Sequence, residues 1–204
     1  MDRLTTTANP YVYPTLHVRR HGPIGYTSYD SYRPWLEDEF SFRCIYCLKR
    51  MVWAPTDVWA VDHLVPREEA AHLACDYDNL VLSCQHCNRQ KSWHRVPDPC
   101  KVAYGSCIQV DGEGLAIGLN AAGRRLVETI RLNHRKYVEE RRKVIKLLRV
   151  LEIYSRDEFE RWLGFPSELH NLASLRPPGG NRRPHGLSQS LHALKERGEL
   201  PHTY

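Results

Sequence analysis

The sequence lacks any long hydrophobic run: no stretch approaches eighteen consecutive apolar residues, so no membrane-spanning helix is predicted. The polar N-terminal stretch 1–10 has no charged-then-apolar pattern, so no secretion signal is predicted and we expect a cytoplasmic protein. No internal repeat or low-complexity tract is found. The cysteines number seven, an odd count, and without a secretion signal they do not indicate a disulfide framework.

The composition is that of a globular chain with a basic second half. Hydrophobic residues make up 42% and charged residues 26% of 204 residues, a length that suits one domain or a small domain with attachments. Residues 1–100 carry 11 Lys/Arg and 12 Asp/Glu, whereas residues 101–204 carry 18 and 12. This asymmetry suggests an anionic partner such as nucleic acid, but basic helices that are merely solvated give the same pattern.

Cap residues and helical periodicity predict short elements outside the cysteine-rich region. A helix is expected at about 32–40, and Asp111-Gly112 predicts a hairpin turn. Asn120 is expected to cap the helix that follows it, and a capping-box pattern starts at Ser155. Further helices are expected at 135–153, 155–164 and 187–197.

Four of the cysteines form two C-x-x-C pairs, and this spacing predicts a zinc site. Each pair makes a tight turn that points two thiolates at one ion, so two pairs complete the tetrahedral set that Zn²⁺ prefers. Because protein supplies all four ligands, we expect this zinc to be structural. A redox pair or unrelated buried cysteines are the weaker alternatives, since two matched pairs occur in one chain. The predicted ligands are Cys44, Cys47, Cys84 and Cys87.

The 36 residues between the two cysteine pairs exceed the gap of an ordinary zinc ribbon, so a folded unit is expected there. Trp59 and Val61 alternate in a predicted strand that ends at Asp62 and His63. The predicted order is strand, loop, strand and helix, with zinc at the base. The second strand is expected at 80–83, a helix-like segment at 67–73 and the final helix at 85–93.

Three polar signatures in this region resemble the HNH endonucleases, the ββα-metal nucleases. They are Asp62-His63-x-x-Pro66, Asp78-Asn79-Leu80 and Cys84-x-x-Cys87-Asn88-x-x-Lys91. The resemblance covers about 42–92, and a looser likeness to the helical tail of stand-alone bacterial HNH proteins covers 118–142. It implies an α+β fold in which a zinc-stapled ββα-metal nuclease core carries flanking, mainly helical extensions.

Four segments are expected along the chain. A Pro-Pro-Gly-Gly break at 177–180 makes the C-terminus a linker and a peripheral helix by default. If the chain is a subunit that a partner activates, the N-terminal arm and the last helix would be its docking surfaces. Besides DNA, the candidate partners are a regulatory protein or a second copy of the chain. The segments are an irregular N-terminal arm at 1–31, the HNH nuclease core with zinc knuckles at 32–107, a hairpin and basic helical extension at 108–164, and a Pro/Gly linker with a C-terminal helix at 165–204.

Phosphodiester hydrolysis needs a base for the water, a cation for developing charge and groups that hold the phosphate. His63 supplies neutral imidazole at physiological pH, since its reference pKa is about 6.5. Asp62 offers a hard oxygen to Mg²⁺. The resemblance implies that Asn88 is the second metal ligand and that Asn79 holds the loop around His63. Arg89 and Lys91, on the same predicted helix, are expected to contact phosphate.

The chain departs from many HNH family members at Asn88, where they have a histidine. An amide oxygen is a harder ligand than imidazole, so Mg²⁺ or Mn²⁺ is expected in preference to Zn²⁺ or Ni²⁺. A second candidate surface for nucleic acid is the stretch 131–149, with eight Lys/Arg and two Asp/Glu, which otherwise is the solvated face of a packing helix. Its candidate phosphate ligands are Arg141, Arg142 and Lys143.

The leading functional prediction is a metal-dependent HNH endonuclease that hydrolyses DNA with a histidine base and one Mg²⁺. One alternative is a zinc-stapled nucleic-acid-binding module without catalysis, which has no need for Asp62, His63 and Asn88 together. Another alternative is an effector nuclease subunit that is silent until a partner activates it, for example in anti-phage defence. That alternative keeps the chemistry and changes only its regulation.

Overall fold

A computed structural model describes residues 9–204, so the first eight residues of the expected N-terminal arm lie outside the described part. Within residues 9–204, helices alternate with two small antiparallel sheets. No helix in this range is both long and apolar enough to cross a membrane. The elements are α1 Arg33–Glu39, β1 Trp59–His63, β2 Leu80–Cys84, α2 Gln85–Lys91, α3 Tyr104–Cys107, β3 Ile108–Val110, β4 Ala116–Gly118, α4 Ala121–Thr129, α5 Arg135–Tyr154, α6 Arg156–Leu163 and α7 Leu191–Glu196.

The central unit consists of β1, β2 and α2. The two strands are antiparallel, with Trp59 opposite Cys84 and His63 opposite Leu80. Because α2 begins directly after β2, its first residues lie opposite the start of β1. Its last residue, Lys91, reaches Asp62 near the end of β1. The expected strand, loop, strand and helix are therefore confirmed, and so is the α+β fold class.

The predicted helix at 67–73 is wrong. This part of the chain forms turns and only a short 3₁₀ segment at Ala71–Leu73. The carbonyl oxygen of Leu73 accepts a hydrogen bond from the side chain of Asn79, and that of Ala74 accepts one from His63. Both carbonyl oxygens thus serve tertiary hydrogen bonds that hold the loop between β1 and β2.

The hairpin and helices of the extension follow the prediction closely. Asp111 closes the β3–β4 turn by accepting hydrogen bonds from two backbone N–H groups, and Asn120 caps α4 by accepting one from Gly123. Two details differ. Ser155 precedes α6 but its side chain makes no cap hydrogen bond, and the expected terminal helix divides into a 3₁₀ segment at Pro184–Gln189 and α7.

Three consecutive acidic residues end α1, and each meets a histidine from a distant segment. Two of these histidines come from the N-terminal arm and one from the region after α6. The carboxylates are buried, so they hold both chain ends against α1. The pairs are Glu37–His170 at 2.5 Å, Asp38–His21 at 2.8 Å and Glu39–His17 at 3.0 Å.

The C-terminal segment is bonded along its length to the rest of the protein. The guanidinium of Arg183 makes two 2.9 Å hydrogen bonds to the carboxylate of Asp78. The buried guanidinium of Arg50 donates to the carbonyl oxygens of Leu163 and Tyr204. This segment is therefore part of the packed structure, in contrast to the free linker and peripheral helix expected from its composition.

Candidate active site and metal centre

The two cysteine pairs meet at one point. All four sulfur atoms lie within 4.8 Å of one another, and Sγ of Cys47 is 3.8 Å from Sγ of Cys84. Tetrahedral Zn²⁺ with Zn–S bonds of about 2.3 Å places sulfur atoms about 3.8 Å apart. The spacing therefore fits a zinc ion. The four ligands are Cys44, Cys47, Cys84 and Cys87.

The chemistry of this cluster also fits a cation. Hydrogen bonds to the sulfur of Cys44 raise the pKa of Cys47 and of Cys87 well above the ordinary thiol value. Four crowded, mostly buried thiols cannot all ionise unless positive charge is placed among them. Because all four coordination positions come from protein, such an ion would fasten the base of β1 to α2 and leave no open position for a reactant.

Apart from the cysteine cluster, a hollow of about 200 Å³ lies at the end of β1. Asp62 and His63 form its floor, and Asn88 and Lys91 reach it from α2. Although α2 starts opposite Trp59, its C-terminal residue Lys91 donates to Asp62 and to the carbonyl oxygen of His63, which brings the last turn of the helix to the end of β1. The remaining lining residues are Tyr29, Val61, Pro66, Arg67, Glu68 and Ser92.

His63 is oriented by the loop between the strands. Its Nε2 lies 2.9 Å from the carbonyl oxygen of Ala74, and a carbonyl only accepts hydrogen bonds, so Nε2 carries the proton and Nδ1 is the basic nitrogen. Burial lowers the pKa of His63 below its usual value, and the hydrogen bond to Ala74 only partly opposes this effect. The imidazole is therefore neutral at pH 7. Its ring also meets the ring of Tyr29 edge-on, with centroids 5.0 Å apart.

Asp62 is 5% exposed and is surrounded by donors. Its Oδ1 accepts the backbone N–H of His63 at 2.8 Å and the ammonium of Lys91 at 3.2 Å, and its Oδ2 accepts the hydroxyl of Tyr46 at 2.6 Å. Burial raises the pKa of Asp62, while the charge of Lys91 and the bond from Tyr46 act in the opposite direction. The contribution of Tyr46 was not predicted; its place inside the first C-x-x-C pair was the only signal.

Lys91 differs from the sequence expectation of a phosphate contact. Its side chain is fully buried, and its ammonium donates to Asp62 and, at 2.6 Å, to the carbonyl oxygen of His63. The helical position places it on the inner face of α2, where the carboxylate of Asp62 compensates its charge. A buried ammonium with these partners is not available to a phosphate on the surface.

Asn79 and Asn88 have different positions relative to the hollow: Asn88 lines it and Asn79 does not. Asn79 accepts the backbone N–H of Val65 at 2.8 Å and donates to the carbonyl oxygens of Val65 and Leu73, so it ties together the loop that carries Ala74. Asn88 is half-buried and lines the hollow beside Asp62. Arg89 is exposed on α2 and is not part of the lining.

The predicted basic surface on α5 needs correction at two of its three residues. Arg141 is buried and donates to the carbonyl oxygens of Gly114 and Leu132, both at 2.7 Å, so it fixes the hairpin turn. Arg142 is half-buried and pairs with Glu113 at 3.0 Å. Of the three residues, Lys143 alone is exposed.

Comparison with known proteins agrees with this geometry. A family model described as HNH endonuclease matches residues 44–93, the segment that contains both cysteine pairs, β1, β2 and α2. No curated protein and no solved structure matched the chain.

Proposed function

We propose that the protein is a metal-dependent endonuclease that hydrolyses phosphodiester bonds in DNA, because residues 44–93 match a family model described as HNH endonuclease. His63 is the general base, and Asp62 and Asn88 hold the catalytic divalent ion. The observation that carries this proposal is the hydrogen bond from Nε2 of His63 to Ala74, because it leaves Nδ1 unprotonated on a histidine that lines the same hollow as Asp62 and Asn88.

The proton of the attacking water passes to Nδ1 of His63 in this proposal. The imidazole then becomes positive while its Nε2–H stays bonded to the carbonyl oxygen of Ala74, so the ring keeps its orientation. Asn79 acts as a positioning residue, since its bonds to Val65 and Leu73 hold the loop that supplies Ala74.

Asp62 and Asn88 are suitable ligands for a hard cation. The Asp62 carboxylate has about four lone-pair positions and uses three of them for Tyr46, Lys91 and His63, so one is left for a metal. Carboxylate and amide oxygens favour Mg²⁺ or Mn²⁺. When bound, such an ion neutralises charge on the phosphate and on the leaving oxygen.

The ion pair between Lys91 and Asp62 favours a second candidate, a zinc-stapled module that binds nucleic acid without cutting it. The ammonium already neutralises the carboxylate that a metal would need, which lowers the attraction for a cation. Activation by a partner, including a role in anti-phage defence, is a further version of the nuclease proposal, in which the partner is needed for activity.

The experiment is plasmid nicking by the purified full-length chain with added Mg²⁺ or Mn²⁺. We expect His63→Ala to slow cleavage by about two to four orders of magnitude, because a general base contributes that much, while DNA binding is retained. His202→Ala is the control, since it removes an exposed histidine far along the chain. The family resemblance implies products with 5′-phosphate and 3′-hydroxyl ends.

Each outcome of this assay separates the candidates. Equal rates for the wild type and His63→Ala contradict the assignment of the base. DNA binding without cleavage at any metal concentration contradicts a nuclease that acts alone, and leaves the binding module and the partner-activated nuclease. Cleavage by the purified chain alone contradicts the need for an activating partner.

A further inference from the structure

Trp93 is exposed to an unusual degree for its type. Its exposed fraction is 65%, whereas Trp35 and Trp59 are buried and Trp53 and Trp162 are half-buried. Tryptophan is normally among the most buried side chains on average, because its indole removes a large apolar area from water. The indole lies against the ring of His94, with centroids 4.3 Å apart, and the rest of its surface faces solvent. Exposure alone does not indicate a ligand, so the position of Trp93 in the fold is decisive.

The backbone immediately before Trp93 is in a costly conformation. Ser92 ends α2 with φ of 49° and ψ of −127°, in the left-handed half of the map that favours glycine. The turn is held by hydrogen bonds from Ser92 N–H to Asn88 and from His94 N–H to Lys91, both at 2.9 Å. Strained non-glycine residues that are fixed in this way cluster at functional sites, and here the strain directs Trp93 away from the core.

Trp93 lies next to the candidate catalytic hollow. It borders a surface depression of about 400 Å³ whose other walls are Pro66, Glu68, Glu69 and Ser92. Three of those residues, Pro66, Glu68 and Ser92, also line the hollow that contains His63. The depression beside the indole and the hollow that contains His63 are therefore neighbours with common lining residues. Adjacent subsites for one bound nucleic-acid strand have this arrangement.

The charged residues that line the depression are both acidic. They are Glu68 and Glu69, and Glu69 pairs with Arg95. The depression therefore offers no net attraction to a phosphate. Its distinctive group is the π-face of the indole, which every nucleobase can stack on without regard to sequence.

We propose that Trp93 is a stacking platform for an unpaired nucleobase next to the scissile phosphodiester. The inference rests on the proposed nuclease function and adds a substrate class to it: DNA that presents an unstacked base at the cleavage site, as a single strand or a distorted duplex does. A base that is stacked inside an intact duplex has no free face for the indole. Stacking also does not depend on counterion release, so the contribution of Trp93 to affinity is insensitive to salt.

The test measures the affinity of the full-length chain for fluorescent oligonucleotides in buffer without added Mg²⁺ or Mn²⁺ and without chelator, so that zinc is retained. The probes are an oligothymidylate, the same backbone without bases, and a perfectly paired hairpin. The variants are Trp93→Ala, Trp93→Phe and the control Tyr154→Ala, which removes an aromatic side chain that is 81% exposed on α5.

We expect Trp93→Ala to weaken binding of the oligothymidylate about tenfold, the effect of one lost base stack. Trp93→Phe should retain most of the affinity, and Tyr154→Ala should leave it unchanged. On the backbone without bases, Trp93→Ala and the wild type should bind equally, and the hairpin should show a smaller loss than the oligothymidylate.

Two results overturn the proposal: equal affinity of Trp93→Ala and the wild type for the oligothymidylate, or a loss of the same size on the backbone without bases. The first result makes Trp93 a protein-docking residue, and the second makes it a contact to the DNA backbone. Failure of the nuclease proposal is read separately, from plasmid cleavage by His63→Ala. If Trp93→Ala weakens binding as expected but the wild type never cleaves DNA, the stacking proposal stands and the nuclease proposal fails.

Discussion

The ammonium of Lys91 lies 3.2 Å from Oδ1 of Asp62, and both side chains are buried. Asp62, the proposed metal ligand, lines the hollow, and Lys91 contacts it from the buried face of α2. Each charge compensates the other, so removing one leaves an unpaired charge in a poorly hydrated place. The metal affinity of Asp62 and the stability of the central unit are therefore coupled through Lys91.

Lys91→Gln is expected to lower the free energy of unfolding by about 3–5 kcal/mol, as breaking a buried ion pair does. Added Mg²⁺ should restore part of the melting temperature of this variant, because a cation bound by Asp62 replaces the lost ammonium and stabilises by mass action. Thermal unfolding with and without Mg²⁺ measures both effects. Lys143→Gln, at an exposed position, is the control. A melting temperature of Lys91→Gln that does not respond to Mg²⁺ contradicts the metal assignment of Asp62.

The cysteine cluster is expected to hold one zinc ion per chain. Cys84→Ser should lose the zinc and unfold the central unit, since structural zinc contributes about 10 kcal/mol or more of folding free energy. Cys100→Ser is the matched control, because this cysteine lies outside the four-sulfur cluster. Elemental analysis and circular dichroism measure the result. Folded wild-type protein that contains no zinc contradicts this prediction.

Asp62→Ala and Asn88→Ala are expected to raise the concentration of Mg²⁺ needed for half-maximal cleavage, because each removes one oxygen ligand. Arg89→Ala is the contrasting variant, since its exposed guanidinium is predicted to contact phosphate. It should weaken DNA binding and reduce the salt dependence of binding by about one phosphate contact, with no change in the Mg²⁺ titration. Titrations of cleavage rate against Mg²⁺ separate the two kinds of residue. Superimposable titrations for Asn88→Ala and the wild type remove Asn88 from the metal site.

The buried carboxylate of Glu39 predicts how stability falls in acid. Burial by itself raises the pKa of Glu39, but hydrogen bonds from His17 and from the backbone N–H of Arg20 outweigh burial and lower the pKa to about 2. The contribution of the Glu39 carboxylate to the free energy of unfolding is therefore complete above its unfolded-state pKa of about 4.5. It is lost as the pH falls towards the folded-state pKa of about 2. Glu39→Gln should flatten this part of the curve of unfolding free energy against pH. Glu128→Gln, at an exposed position, should leave the curve unchanged, and an unchanged acid limb in Glu39→Gln contradicts the assignment.

Arg141 and Lys143 are expected to behave differently although they are two residues apart. Arg141→Ala should destabilise the protein by about 2 kcal/mol or more, because the carbonyl oxygens of Gly114 and Leu132 lose their charged donor. Lys143→Ala should leave stability within about 0.5 kcal/mol and can affect only binding, since its side chain is exposed. Urea denaturation and DNA binding of the two variants check this difference. Equal stability of the two variants contradicts the structural assignment of Arg141.

The central unit was predictable because its information is local. The C-x-x-C spacing specifies two tight turns, alternation at Trp59 and Val61 specifies a strand, and both signals act over a few residues. The polar signatures between and directly after the cysteine pairs then predicted Asp62, His63 and Asn88 as site residues, and these three line one hollow. The Asn120 cap and the bounds of α5 followed for the same reason, as side chain and backbone are close in sequence.

Tertiary structure decided which charged side chains reach solvent. A lysine or arginine reads the same in the sequence whether it is solvated or buried, and only the partner that satisfies it distinguishes the two cases. Lys91 can be buried because Asp62 accepts a hydrogen bond from its ammonium. Arg141 can be buried because the carbonyl oxygen of Gly114, in the β3–β4 turn, accepts one from its guanidinium. The pairing of α1 carboxylates with distant histidines is equally invisible in the sequence, since the partners of Glu37 lie more than a hundred residues away. The sequence by itself determined the four-cysteine cluster and the polar signature of the proposed active site, because both depend on spacing. The burial of each charge depended on neighbours that only the folded chain brings together.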